Sequence, residues 1–417
     1  MNIAATFAKY HTTINSGTAW LGDIPADWGI KKMKFLFRDH SQKEMPNAEL
    51  LSVTQNQGVV PRTLVESRMV MPSGNLKSFK FIEKGDFAIS LRSFEGGLEY
   101  CHHDGIISPA YTVLKRKSEN LLPAYYRYLF KSAAFISELQ TSIVGIREGK
   151  NISFEELSYS LMPVPGLNEQ RAIASFLDNK CAKIDEAVRI KEAQIKLLRE
   201  RRQILIQQAV TRGLNPDAPM KDSGIDWIGE IPAHWQVRSI RYAFCFRNYQ
   251  RVPLSGSERE HMQGEFPYYG ASGIIDYVED YIFDEDLILI AEDGANLLSK
   301  STPLAFVARG KYWVNNHAHI LEPLFPGFEY WAELLSAVDY TIYISGSAQP
   351  KLTRDRLGSV RVPVPPSDER DKIIELINTQ SEKFRKAISI KQDQIAKLKE
   401  YKTSLINAAV TGKIKVS

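Results

Sequence analysis

The chain has 417 residues, 44% of them hydrophobic and 24% charged, with a formal net charge of +4. That length suffices for two cores of ordinary domain size, and the near-balanced charge does not by itself argue for nucleic acid. The N-terminus lacks the apolar core of a signal peptide and no run approaches the ~18 apolar residues of a membrane span, so a soluble, cytoplasmic protein is expected.

In chain order, the first distinctive element is GTAWLGDIPADW at 17–28. A variable block follows, within 29–160. Its runs 80–92 and 105–117 read as strands separated by Gly-rich turns, and 124–140 reads as a helix. A polar loop led by Gly145 closes the block. A Pro-Val-Pro segment then opens a long helix over about 168–211. Asn168 suits its N-cap and Glu169 its first turn, where the helix dipole favours negative charge. Gly, Pro, Asn and Asp mark 212–224 as a linker.

The whole series then repeats. GIDWIGEIPAHW occupies 224–235, and strands are expected over 281–293 and 311–323. A helix at 329–341 precedes a polar loop led by Gly346. A second long helix follows, with Asp368 and Glu369 in the places of Asn168 and Glu169. Residues 163–211 and 363–411 match without a gap at 18 of 49 positions, too many for chance. Asp86 and Asp286 take matching places, each before an apolar strand.

A 4-3 spacing runs through both helices. It joins Ile184, Val188, Lys191, Ile195, Leu198, Arg202, Leu205 and Ala209, and then Phe384, Ile388, Lys391, Ile395, Leu398, Lys402, Leu405 and Ala409. Such spacing specifies a left-handed coiled coil. The fold class expected is therefore α/β. Two pseudo-twofold-related α/β blocks are separated by two long helices that form an antiparallel coiled coil. The division is 1–160, 161–213, 214–360 and 361–417.

No phosphate-binding loop, dinucleotide fingerprint, zinc-protease helix or nucleophile elbow is present. Cys101, Cys181 and Cys245 lie far apart without metal-ligand spacing and read as reduced, mostly buried thiols. Glu285-Asp286 and Glu292-Asp293 read as solvated edges or turns. His317 and His319 read as structural or base-contacting residues, and Tyr125-Tyr126 and Tyr268-Tyr269 as packing. Binding chemistry is better represented. Gln55, Asn56, Gln57, Arg62, Arg92, Arg147 and Lys150 in the first block are candidates for DNA contact. So are Asn296, Lys300, Asn315, Asn316, Gln349, Lys351 and Arg354 in the second. Arg pairs with guanine, Asn or Gln with adenine, and Lys more often holds phosphate.

The repeated residues also carry a family resemblance. WLGDIPADW, WIGEIPAHW, the Pro-x-Pro followed by NEQRAIASFL, and the endings QQAVTRGL and NAAVTGKI resemble the specificity subunits of type I restriction–modification systems. YYGASGIIDY and GSAQPKLT resemble that family's target recognition domains. The resemblance spans essentially the whole chain. One departure is Arg370, where the first copy has Gln170 as the family usually does; the expected effect is confined to the start of the second helix.

The resemblance implies that each block reads one half of a split double-stranded DNA site. The helices would hold the blocks apart and dock two modification subunits. Those subunits carry S-adenosylmethionine and methylate adenine, and two restriction subunits can join. The specificity subunit itself holds no cofactor or metal and catalyses nothing. The alternative reading is a coiled-coil scaffold with two binding domains for a non-DNA ligand or partner.

Overall fold

The computed structural model describes residues 7–65, 76–90, 93–144, 151–346 and 349–416. The candidates Arg92, Arg147 and Lys150 lie outside the described residues. The chain divides into two compact units. Unit 1 is Met1–Lys191 together with Gln392–Ser417, and unit 2 is Glu192–Lys391. Each long helix is thus shared between the units rather than forming a body of its own. No helix among the described residues is long and apolar enough to cross a membrane.

The long helices run Leu167–Arg212 and Ser367–Val410. Each begins two residues earlier than the cap residues suggest. The first intrahelical bonds are accepted by the carbonyls of Gly166 and Pro366, from Gln170 N and Arg370 N, both at 2.9 Å. These two residues are therefore the N-caps, and Asn168 and Asp368 sit inside the first turn.

Within each unit the two helices pack antiparallel. In unit 1, Lys191 Nζ donates to Gln394 Oε1 and Lys402 Nζ to both carboxylate oxygens of Asp185, all at 2.7 Å. In unit 2, Arg202 Nη2 donates to Ser381 Oγ at 3.0 Å and to Glu333. Charged seam positions weaken a simple zipper, but here three of them find a polar partner, so they fix register as well. The apolar seam enters the unit cores: Ile184 and Leu405 join the core of unit 1, with Leu398 against it. Leu205 packs against the core of unit 2. Val188, Ile195 and Phe384 are buried and Ile388 and Ile395 half-buried.

Both units are built on the same sheet. In unit 1 its strands are ordered Phe37–Asp39, Thr112–Arg116, Phe87–Ile89 and Glu99–Tyr100. In unit 2 the order is Phe244–Phe246, Ala318–Pro323, Leu287–Ala291 and Ala305–Ala308. All neighbours are antiparallel. Unit 2 adds a second four-stranded sheet around the hairpin Gln263–Gly270 and Gly273–Val278.

Several sequence expectations change, and the expected strands 105–117, 281–293 and 311–323 are each two strands, Gly105–Ile107 and Thr112–Arg116, Phe283–Asp284 and Leu287–Ala291, and Lys311–Val314 and Ala318–Pro323. The run 80–92 is cut into Lys80–Ile82 and Phe87–Ile89 by a turn in which Asp86 Oδ2 accepts Glu83 N and Gly85 takes φ 97°. The helix at 124–140 is two helices, Pro123–Leu129 and Ala133–Leu139, because Ser132 caps the second one at Phe135 N. Gly97 fits against that break: a Cβ there would lie 1.9 Å from Phe130 O. The linker 212–224 holds a strand, Met220–Asp222, paired with Glu230–Pro232. Its counterpart is Thr13–Asn15 on Asp23–Pro25. Cys101 and Cys181 are buried as expected, whereas Cys245 is exposed.

Candidate nucleic-acid interface

In unit 2 the candidate loops converge on Glu292, which follows the buried strand Leu287–Ala291. Its Oε2 accepts Arg251 Nη1 at 2.6 Å, and its Oε1 lies 3.4 Å from Lys351 Nζ. Its backbone accepts Leu352 N at 2.7 Å. Arg251 also donates to the carbonyls of Asn316 and Ala318, so one guanidinium holds the 315–318 loop. Burial alone would raise the Glu292 carboxyl; Arg251, His319 and Lys351 outweigh it and hold the group below its usual range.

Glu292 and Asp293 are therefore not a solvated acidic edge. Asp293 receives His317 Nδ1 at 2.9 Å. His319 is fully buried, with Nε2 2.7 Å from Leu352 O and Nδ1 2.8 Å from Asn248 Nδ2. Nε2 must donate to that carbonyl, so Nδ1 accepts from Asn248. Burial lowers the His319 pKa. Glu285 and Asp286 are likewise paired, with Arg247 and Arg309.

Around this hub the surface presents Asn316, Gln349, Lys351 and Arg354, all exposed. Gly346 makes the turn before Lys351: it has φ 87°, and a Cβ there would come 2.5 Å from Gln349 O. Ser345 and Lys351 exchange backbone bonds at 2.9 and 2.8 Å, closing the loop. Arg354 lies 5.4 Å over the Phe246 ring.

Three candidates do not join that surface. Asn315 is buried, its Oδ1 taken by His317 N at 2.8 Å. Asn296 spends its side chain on Thr302 and Ser301 of its own loop. Lys300 donates to Val338 O at 2.9 Å and lines a cleft of about 770 Å³ with Arg199 and Arg202.

In unit 1, Gln55, Asn56 and Gln57 form the exposed turn between the paired strands Leu51–Thr54 and Gly58–Pro61. Arg62 is half-buried in the 3-10 turn that follows. The turn is anchored by Lys131, whose Nζ donates to Gln55 O at 3.1 Å and to Glu99 Oε1 at 2.6 Å. Glu99 is buried, and burial pushes its carboxyl up to about 7 against the pull of Lys131. A raised carboxyl favours the folded state most below its ordinary value, and that contribution is lost as pH rises through about 7. Unit 1 is therefore expected to melt earlier at pH 8 than at pH 5, and Glu99→Gln to flatten that profile. Thermal melts of both proteins across this range test it; parallel profiles refute it.

The repeated segments meet one another at the helix starts. Trp28 Nε1 donates to Glu169 Oε2 at 3.0 Å in unit 1, and Trp235 Nε1 to Glu369 Oε2 at 2.9 Å in unit 2. The buried Tyr125 donates to Val410 O at 2.8 Å, and Tyr330 to Val210 O at 3.2 Å. Tyr126 likewise reaches Pro163 O, and Tyr330 reaches Pro363 O. Tyr125, Tyr126 and Tyr268 are fully buried, so they pack rather than stack on bases. Gln170 is buried with three bonds, to Leu122 N, Asn120 O and Pro165 O. Arg370 is equally buried and packs against Gly327, where a Cβ would lie 3.3 Å from its Cδ. The departure at Arg370 is thus a packing change beneath the Phe328–Ala337 helix, beyond an adjusted helix start.

Residues 232–400 match the family model described as the type I restriction modification DNA specificity domain. The chain is 23% identical over 437 residues to a putative type I restriction enzyme MjaX specificity subunit of Methanocaldococcus jannaschii, covering 95% of this chain and 96% of that one. Along nearly its whole length the chain is thus similar to type I restriction enzyme specificity subunits, and residues 232–400 match that family's DNA specificity domain. A second relative, a putative specificity subunit of Haemophilus influenzae, is 36% identical over 135 residues. That match spans 31% of this chain and only 33% of the relative. The fold is also that of a solved chain described under complex assembly and conformational transition of the type I restriction–modification system. The TM-score is 0.65 at 14% identity, covering 93% of this chain and 98% of that chain.

Sequence reasoning misses the residues that hold the loops: Arg251, Asn248 and Lys131. Each is a polar residue in an irregular stretch, and its partner lies tens of residues away. Only the duplicated Trp and Glu carry a signal, since both recur at fixed places in the two halves.

Proposed function

We propose that this specificity subunit reads an asymmetric, gapped double-stranded DNA site, one half per unit, through side chains entering the major groove. It is the DNA-specificity component of a type I restriction–modification system. In this reading methyl transfer from S-adenosylmethionine, and any translocation or cleavage, belong to partner subunits. Two methyltransferase subunits dock on the duplicated frame. The observation that carries the reading is the contrast within each unit. The Trp–Glu and Tyr–carbonyl bonds recur at the helix ends, while the polar loops on the sheets differ in sequence and anchoring. Copied parts suit an identical partner; unlike loops suit unlike half-sites. A mildly basic chain is compatible with this, because partners can share the phosphate neutralisation.

Lys351 and Gln349 distinguish the two kinds of contact. In the assembled methyltransferase, Lys351→Ala is expected to weaken binding to all sites evenly and to reduce the salt slope by about one. Gln349→Ala is expected to relax one base position of one half-site by about 1–3 kcal/mol. Binding isotherms at several salt concentrations, on cognate and singly mismatched duplexes, measure both. Unaltered affinity and half-site preference in both variants would remove this loop from the interface.

A further inference from the structure

Each unit carries a one-turn helix that pushes an aromatic ring into solvent. In unit 1 it is Met33–Leu36, with Met33 and Leu36 buried and Phe35 63% exposed. In unit 2 it is Ile240–Ala243, with Ile240 and Ala243 buried and Tyr242 65% exposed. The two positions are equivalent. Each turn follows the strand that pairs with the strand leading into a long helix: Gly29–Lys32 on Leu161–Val164, and Gln236–Ser239 on Arg361–Val364. Each is tied at its start to the same carbonyl, Met33 N to Ser160 O at 2.9 Å and Ile240 N to Val360 O at 2.8 Å.

A basic residue precedes each ring in the chain, Lys34 before Phe35 and Arg241 before Tyr242. Lys34 Nζ lies 5.6 Å from the Phe35 ring and 4.2 Å from that of Tyr159, itself 55% exposed. Lys32 is 5.5 Å from Tyr159. In unit 2, Arg241 precedes Tyr242 in the chain and is exposed, its Nε donating to Gly358 O at 3.2 Å, while the exposed Arg238 lies 5.1 Å over the Phe325 ring.

A single exposed ring needs no explanation. Two at the same place, each beside basic residues, do. We propose that Phe35 with Lys34 and Tyr242 with Arg241 are docking points for two copies of one protein. Its surface would offer an apolar pocket rimmed by carboxylates. This rests on the functional reading above, in which the methyltransferase subunit is that protein. Aromatic rings beside cations are the residue types that dominate interface energetics, and complementary charge sets their register. DNA phosphate is the other occupant that would be identical at both places. It is disfavoured because a phosphate engages the cations and leaves the ring of Phe35 uncovered.

The test is reconstitution of the full chain with purified methyltransferase subunit, read as stoichiometry and affinity by analytical ultracentrifugation. The wild-type chain is expected to bind two copies. Phe35→Ser and Tyr242→Ser are each expected to weaken one of the two binding steps at least about 30-fold, the size of an interface hot spot. The double variant is expected to lose both copies. Lys34→Glu with Arg241→Glu reproduces the loss without touching either core, while Phe35→Tyr and Tyr242→Phe retain two copies. Wild-type affinity and two bound copies in the double serine variant overturn the proposal. So does intact assembly with weaker DNA binding and a smaller salt slope, which assigns the surface to phosphate. A wild-type chain that binds no copy sinks the functional reading, and the proposal with it.

Discussion

Trp235→Ala is expected to destabilise unit 2 by about 3–5 kcal/mol, the cost of emptying a buried indole site. Trp235 is fully buried and joins the core shared by both long helices. Its Nε1–H also satisfies Glu369, which faces it from the first turn of Ser367–Val410. The loss is a large part of the 5–15 kcal/mol that ordinary domains hold in reserve. Trp235→Phe keeps most of the ring and removes only the donor. Glu369 then retains the contact with His234 at 2.7 Å, so the expected cost is about 1–2 kcal/mol. Gly213 stands close against the same pair, where a Cβ would lie 2.6 Å from Glu369 Oε1. Urea unfolding of the three proteins measures the effect; an alanine variant as stable as wild type would show that the clamp holds nothing.

Glu292→Ala is expected to cost about 3 kcal/mol and to abolish recognition of one half-site. The carboxylate and Arg251 are both mostly buried, with side chains 13% and 17% exposed. Removing the acid leaves the guanidinium without its anion in the middle of the proposed reading surface. Arg251 and Lys351 then lose their fixed positions together, so the 315–318 and 345–351 loops lose register. Acid should act in the same direction. The Glu292 carboxyl lies below its ordinary range, so its contribution is complete above that range and declines as pH falls through it. The imidazole of His319 is also lowered, so its contribution is complete above the ordinary imidazole value and declines below it. Unit 2 thus weakens on acidification, whereas Glu99 in unit 1 acts in the opposite sense. Methylation protection of singly substituted duplexes by the assembled enzyme, with and without Glu292→Ala, measures the recognition loss. Retained discrimination at that half-site would refute the role of the hub.

How much of this is legible in the sequence depends on the range of the interaction. The heptad seam is legible because 4-3 spacing is a local property of one helix, and Ile184, Phe384 and Leu405 are buried as that spacing requires. The strand after each matching aspartate, Phe87–Ile89 and Leu287–Ala291, is legible for the same reason. The break at Ser132 is not, because it is decided by a cap and by Gly97 packing on Phe130 O, across more than thirty residues. The loops show the same division. Gln349, Lys351 and Arg354 stand out by residue type in a Gly-led turn and do reach the surface. Asn315 has the same residue type and is buried, since its side chain turns back to His317 N. Polarity identifies side chains capable of contact; only the fold decides which are already engaged.

The way the last helix ends has a consequence for synthesis. Gly412 sits against Pro25 and Trp28, where a Cβ would lie 2.3 Å from Pro25 Cδ. Beyond it Lys413 Nζ donates to Leu21 O at 2.8 Å and Lys415 N to Ala8 O at 2.7 Å. Unit 1 is therefore closed by pieces from opposite ends of the chain, while unit 2 is one continuous stretch, Glu192–Lys391. On the ribosome the unit whose residues emerge first must wait for Gln392–Ser417, and unit 2 can finish before it. A premature stop near residue 392 would spare the nearby domain and cripple the distant one.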